Sequence, residues 1–140
     1  MKKFFLLLLI IVLFLTMAIL VKKTSLFSPQ NNYQDFQTIS YKLQAKSYKL
    51  LLADTPEKWE KGLMFFRKLE GVDGMIFLFP DKQPRIFWNK NTLMDLDLLW
   101  IDDNKVVGKS FLPSIEKSKE VVTVSSPKPV NKVIELGVRR

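Results

Sequence analysis

One run of residues, Phe87-Trp88-Asn89-Lys90-Asn91-Thr92-Leu93-Met94-Asp95-Leu96-Asp97, gathers most of the side chains in this protein that could do chemistry. Two aromatics, two amides, a lysine and two carboxylates surround a short turn, which runs straight into the apolar Leu98-Leu99-Trp100-Ile101. A polar turn at the mouth of an apolar strand is a common setting for a binding site, because a rigid scaffold holds side chains that still face solvent. Asp97 alternates with Leu99 and Ile101 along one strand face, and burying its carboxylate unpaired would cost several kcal/mol. Two readings of it stay open. In one, Asp97 accepts from the amides of the Asn91-Thr92 turn or pairs with Arg67 or Lys90. In the other it orients a ligand or acts as acid or base. Arg67, Trp88, Lys90, Asn91, Thr92 and Asp97 are therefore the candidate binding residues, and they converge if the helix before Arg67 packs over the strand that Asp97 opens.

Much chemistry is excluded by what the chain lacks. It has no cysteine and no histidine, which removes disulfides, thiolate nucleophiles, Ser-His triads and the usual zinc sites. Asp95 and Asp97, with Asp102-Asp103 nearby, match no known cation loop, and Lys90 would oppose the charge, so neither a metal nor another cofactor is expected. Asp102-Asp103-Asn104 is more simply a hairpin turn. Ser110 and Ser114 lie near Lys109 and Lys117, yet nothing marks an oxyanion hole for a Ser-Lys pair. Phe87, Trp88 and Trp100 read as core before they read as a stacking platform. The formal charge of +8 is not a nucleic-acid signature. Half of it is Lys2, Lys3, Lys22 and Lys23, and the rest is interleaved with acids without a basic stripe, so no nucleic-acid partner is expected.

Those four lysines flank Phe4 to Val21, a run with no charge and no helix breaker. As a helix it spans about 27 Å, enough to cross a hydrocarbon core of about 30 Å with snorkelling lysines at either end. The run is long for a cleaved secretory signal and no small-x-small site follows it, although secretion after cleavage is the alternative. Residues 1–23 are thus expected to anchor the chain in the lipid bilayer of the cytoplasmic membrane as a single pass through residues 4–21, with the rest facing outside. Residues 24–38 read as a polar linker, and 39–140 as the folded domain.

Within that domain, Ile39 to Leu43 and Tyr48 to Ala53 read as a hairpin. Thr55-Pro56-Glu57 is the clearest helix start: a capping hydroxyl, a proline with its dihedral preset, and an acid at the positive end of the dipole. The spacing predicts a helix from Thr55 to about Phe66, with Trp59, Leu63 and Phe66 toward the core. Gly62 inside it costs about 1 kcal/mol relative to alanine, which a close approach of another backbone would explain. Met75 to Phe79, apolar on both faces, reads as a covered strand, and Pro80 to Pro84 as a loop. Arg85 to Trp88, the hairpin Leu96–Ile101 with Lys105–Gly108, Val121 to Val124 and Val133 to Leu136 complete about seven short strands. The fold class is α+β, a small β-rich domain of mostly antiparallel pairs with one main helix, and closure into a small barrel is one way to finish it.

Several of these segments, in this order, resemble the bacterial and archaeal proteins classed as domain of unknown function 192. They are Gly62-Leu63-Met64 with Arg67, Gly74-Met75-Ile76-Phe77 with Phe79, Phe87-Trp88, Lys90-Asn91-Thr92, Leu96-Asp97 and Glu135-Leu136. The resemblance runs from about Leu50 to Leu136. It implies a small β-rich α+β fold, often exported behind a signal or anchor, and no established activity. Where that family usually has methionine after the tryptophan, this chain has Asn89. The family also usually continues into a glycine-bearing tail, where this chain has only Gly137-Val138-Arg139-Arg140, so the resemblance implies a shortened variant or a missing last part of the fold.

Three classes of function compete. One is a membrane-tethered module that binds a small polar or anionic ligand through Arg67, Lys90, Asn91, Thr92 and Asp97. Another is a hydrolase-type enzyme with Asp97 as base. The third is a structural or protein-interaction domain of the envelope. The absent His and Cys weaken the enzyme, and the Lys-Asn-Thr turn with Arg67 and Asp97 favours the module.

Overall fold

The alternation that begins at Ile39 becomes a hairpin. Strand β1 (Thr38–Leu43) runs antiparallel to β2 (Lys46–Ala53), with Leu43 opposite Lys46. Gln44 turns the chain at φ 54°. In this computed structural model residues 33–138 are described; the expected anchor, most of the expected linker and the last two arginines lie outside them. Among the described residues no helix is long and apolar enough to cross a membrane.

Thr55 caps helix α1 (Pro56–Lys61) as its side chain suggests, accepting from the Lys58 amide at 3.4 Å. The helix stops five residues short of the expected end. Gly62 adopts φ 47° and donates its N–H to the Lys58 carbonyl at 2.9 Å, a C-terminal cap that only glycine takes without strain. A close backbone neighbour is not the reason for this glycine: a Cβ there would meet the Phe77 ring at 3.5 Å and the Trp59 carbonyl oxygen at 3.9 Å, both ordinary contacts. Leu63 and Phe66 are buried as expected, but from the loop after the helix.

That loop carries the chain back to the start of β3 (Gly74–Gln83), which lies parallel to β2. The stretch between Ala53 and Gly74 is long enough for such a crossover, which a tight hairpin cannot make. The pairing is mostly antiparallel as expected, with this one parallel step. β3 also absorbs most of the loop expected at Pro80 to Pro84, up to Gln83, with its register against the next neighbour shifted between Leu78 and Gln83. Then come β4 (Ile86–Trp88), the hairpin of β5 (Leu96–Asp102) and β6 (Lys105–Leu112), the single turn α2 (Ile115–Ser118), β7 (Thr123–Ser125) and β8 (Val130–Gly137). β4 and β7 form a two-stranded sheet. The other six strands are ordered β1-β2-β3-β8-β5-β6 and curl into a half barrel. The last strand in sequence therefore sits in the middle, antiparallel to both β3 and β5.

Alternation along the central strands makes two apolar layers. Met75, Phe77, Leu98, Trp100 and Val133 face one side, where α1, Leu63, Phe66 and the β4 strand cover them. Ile76, Leu99, Ile101 and Ile134 face the other with Leu43 and Leu50. Each fully buried Leu, Ile or Phe here contributes roughly 1.5–3 kcal/mol. Phe87 packs edge-on against both Phe77 and Trp100, at centroid distances of 4.9 and 5.6 Å. Trp100 is fully buried and satisfies its indole N–H on the Ser110 hydroxyl at 2.9 Å.

Candidate functional site

The turn after β4 is built around Asn89. Its side chain is completely buried. The amide nitrogen donates to the Pro113 carbonyl at 3.0 Å and the Ser118 hydroxyl at 2.8 Å, while its oxygen accepts from the Val122 amide at 2.8 Å. One amide thus ties the turn to α2 and to the approach of β7. Asn91 follows in the left-handed region at φ 55°, and its carbonyl accepts from the amide of Phe65, itself at φ 67°. A left-handed conformation is uncommon for a bulky residue such as Phe65. The Phe65–Asn91 hydrogen bond, 2.8 Å long, clamps the loop after α1 onto the turn. Thr92, nearly buried, donates its amide to the Asn89 carbonyl and accepts from Ile115 at 2.8 Å.

Between these two clamped segments lies a cavity of about 30 Å³, with Trp59, Gly62, Met64, Phe77, Phe87, Trp88, Thr92 and Glu135 in its lining. The same four aromatics, Trp59, Phe77, Phe87 and Trp88, also line a wider cleft of about 380 Å³ with Phe79, Arg85 and Ile86. Glu135 is the unusual member. It sits in the centre of β8, paired with Met75 on one side and Leu98 on the other, and is only 4% exposed. Among the described residues no donor hydrogen-bonds to its carboxyl group. Burial alone pushes that carboxyl up to about 8, so it is mostly protonated at neutral pH.

The six sequence candidates divide. Trp88 and Thr92 line the cavity. Asn91 holds its rim, and its side-chain amide lies 4.0 Å from the Met64 sulfur. Lys90 lies over the Trp88 ring, 5.0 Å from its centroid. Arg67 is not brought there: its guanidinium is mostly exposed and pairs with Glu116 at 3.1 Å. Asp97 is not there either. It is exposed, and it lines a different, open groove of about 970 Å³ with Leu43, Tyr48, Leu99 and Lys109, on the other side of the sheet. The expected convergence of Arg67, the turn and Asp97 therefore fails, because side chains alternate along β5 and residue 97 shares the face of Leu99. The role imagined for Asp97 falls in part to Asp95, just before β5. Asp95 accepts from the Ser114 amide at 2.9 Å and pairs with Lys117 at 3.1 Å. Asp102 at the hairpin turn is occupied by Lys82 at 2.7 Å and Lys128 at 3.2 Å.

The family model for domain of unknown function 192, described as an uncharacterized ACR, matches residues 38–139. The chain belongs to this family. No curated protein matches this DUF192 chain. Two crystal structures are similar to it. One is from Sinorhizobium meliloti 1021, a protein whose proposed role is transcription regulation, at 29% identity and a TM-score of 0.57, covering 74% of this chain and 80% of the other. The second, from Novosphingobium aromaticivorans DSM 12444, is a protein of unknown function at 24% identity and a TM-score of 0.59, covering 73% of each chain, a likeness that concerns the fold alone.

Glu135 is the site residue that the sequence reading of this DUF192 domain passed over, taking it only as part of the last strand and of the Glu-Leu pair. A signal was available. It is the one carboxylate inside Val133-Ile134-Glu135-Leu136, and in a strand covered on both faces a lone acid is either paired or poised for something else. Chemically, the arrangement offers a hydroxyl and a carboxyl group that can donate as well as accept, both walled by aromatic rings.

Proposed function

We propose that this DUF192 chain is a small polar-ligand binding module, held on the outer side of the cytoplasmic membrane by residues 4–21. The observation that carries the reading is Glu135. An unpartnered buried carboxyl costs stability, and such a cost in the lining of a cavity is characteristic of a group kept for a ligand. Thr92 adds a second polar group, Trp59 and Trp88 supply large rigid walls, and the Phe65–Asn91 clamp holds the rim in place. In a chain with neither His nor Cys, binding asks less of these groups than catalysis does. The apolar length of Phe4 to Val21 and its flanking lysines support the tether.

A thermal-shift screen of the detergent-solubilised full chain against envelope metabolites tests the reading. A ligand at 100 times its dissociation constant should stabilise the protein by about 2.7 kcal/mol. The gain should disappear in Glu135→Gln. Ligands whose effect survives that substitution but vanishes in Asp97→Asn would move the site to the open groove and overturn the assignment.

A further inference from the structure

We propose that the cavity beside Glu135 receives the ammonium head of an aliphatic amine, with the Glu135 carboxylate as its counter-ion. This rests on the binding role assigned above and names the chemistry of the ligand. Glu135 is buried and unpartnered, and Trp59, Phe77, Phe87 and Trp88 bring four aromatic rings to the wall beside Glu60, Lys61, Met64 and Thr92. Aromatic faces carry the negative part of the ring quadrupole. An anion would meet those faces and an acid together. A neutral hydroxyl would satisfy the carboxyl and gain little from the rings. An ammonium uses both, as the counter-ion of the carboxylate and as a cation against the rings.

Size and charge agree with that choice. A cavity of about 30 Å³ accommodates a group on the scale of a single nitrogen. The wider cleft, with Phe79 and Ile86 among its walls, suits an alkyl chain. The charged groups near the cavity do not fill this role. Lys61 of α1 is held by Asp35 and lies over Phe36. Arg85, just before β4, is held by Asp81 and lies on the Phe79 ring, 3.9 Å from its centroid. Lys90, after β4, lies over Trp88, which shows that this ring accepts a cation. Glu60 of α1 lines the cavity as a second carboxylate. On either side of Glu135, β3 and β5 present Met75 and Leu98.

The proton balance follows directly. Glu135 is mostly a neutral acid at pH 7, since burial pushes it up to about 8. Binding converts a carboxylic acid and an alkylammonium into a carboxylate–ammonium pair, and the carboxyl proton leaves to solvent. No other bond changes. Below pH 8 the affinity should therefore rise about tenfold for each pH unit.

The experiment uses the detergent-solubilised full chain with n-butylammonium as probe, and n-butanol and pentanoate as neutral and anionic counterparts. Tryptophan fluorescence reads binding, and a weakly buffered solution reads proton release. The expected result is that butylammonium binds with close to one proton released per ligand and a dissociation constant falling about tenfold per unit from pH 5 to 7. Glu135→Gln, isosteric with the neutral acid, should weaken binding at least tenfold and abolish the pH dependence. Tighter binding of butanol or pentanoate that still depends on Glu135 would overturn the amine and leave the binding role standing. Butylammonium binding that Glu135→Gln leaves unchanged would overturn the carboxylate–ammonium pair. If none of the three probes binds and no ligand in the wider screen depends on Glu135, the amine and the binding role fall together.

Discussion

A Cβ atom on Gly74 would lie 1.8 Å from the carbonyl oxygen of Glu135. Gly74 pairs with Leu136, the next residue along β8, so the absence of a side chain at 74 is what lets β8 approach closely enough to set Glu135 in the core. Backbone, not a flexible side chain, is the obstacle.

Gly74→Ala should therefore destabilise the domain by more than about 3 kcal/mol, at or beyond the upper end of ordinary overpacking. Chemical denaturation measures this directly. An alanine variant within about 1 kcal/mol of the parent would mean that β8 can shift cheaply, and the position of Glu135 would no longer be dictated by Gly74.

Stability should fall with rising pH because of Glu135. Its carboxyl titrates near 4.5 when exposed in the unfolded chain and near 8 in the fold. Between those values the folded protein holds a proton that the unfolded chain has lost. The stabilisation is complete below about pH 4.5, declines by about 1.4 kcal/mol per unit above it, and is gone once the pH passes 8. In urea melts from pH 5 to 9, this decline should be absent from Glu135→Gln. Parallel curves for the two proteins would show that Glu135 is not buried as a neutral acid.

Asn89 should be a structural hub. Asn89→Met restores the residue usual in the family but strips the Pro113 carbonyl and the Val122 amide of their partner. Each buried group left unsatisfied costs about 1–3 kcal/mol, so a loss of roughly 2–4 kcal/mol is expected. Unchanged stability in the methionine variant would show that this amide network is dispensable.

Asp97→Asn should change stability by less than about 0.5 kcal/mol, as exposed substitutions away from special features do. Its side chain is exposed and opposes Phe111 and Leu136 across its strand neighbours, with no cation bound to it among the described residues. A loss of several kcal/mol in a thermal melt would revive the paired, structural Asp97 read from the sequence.

The run from Phe4 to Val21 should remain on the mature protein. Mass spectrometry of membrane-extracted material should return the full-length mass. A mature N-terminus beyond Ala18 would replace the tether with a released protein.

Local physics was legible in the residues themselves. The β1–β2 and β5–β6 hairpins, the Thr55-Pro56 helix start and the doubly covered β3 each follow from alternation, capping and apolar runs that act within a few residues. So did the family, since its motifs are local strings in a fixed order. The end of α1 was half legible: Gly62 stood out, but a glycine inside an apolar period does not reveal whether it turns the chain or admits a neighbour. What only the tertiary structure decided was which strings meet. The parallel β2–β3 step and the insertion of β8 between β3 and β5 bring Glu135 under Thr92 and Trp88, from a segment more than forty residues away in sequence. The same sheet sends Asp97, close in sequence to Thr92, to its opposite face. Strand periodicity states that neighbours alternate, but the face that becomes the floor of a cleft depends on which loops pack above it.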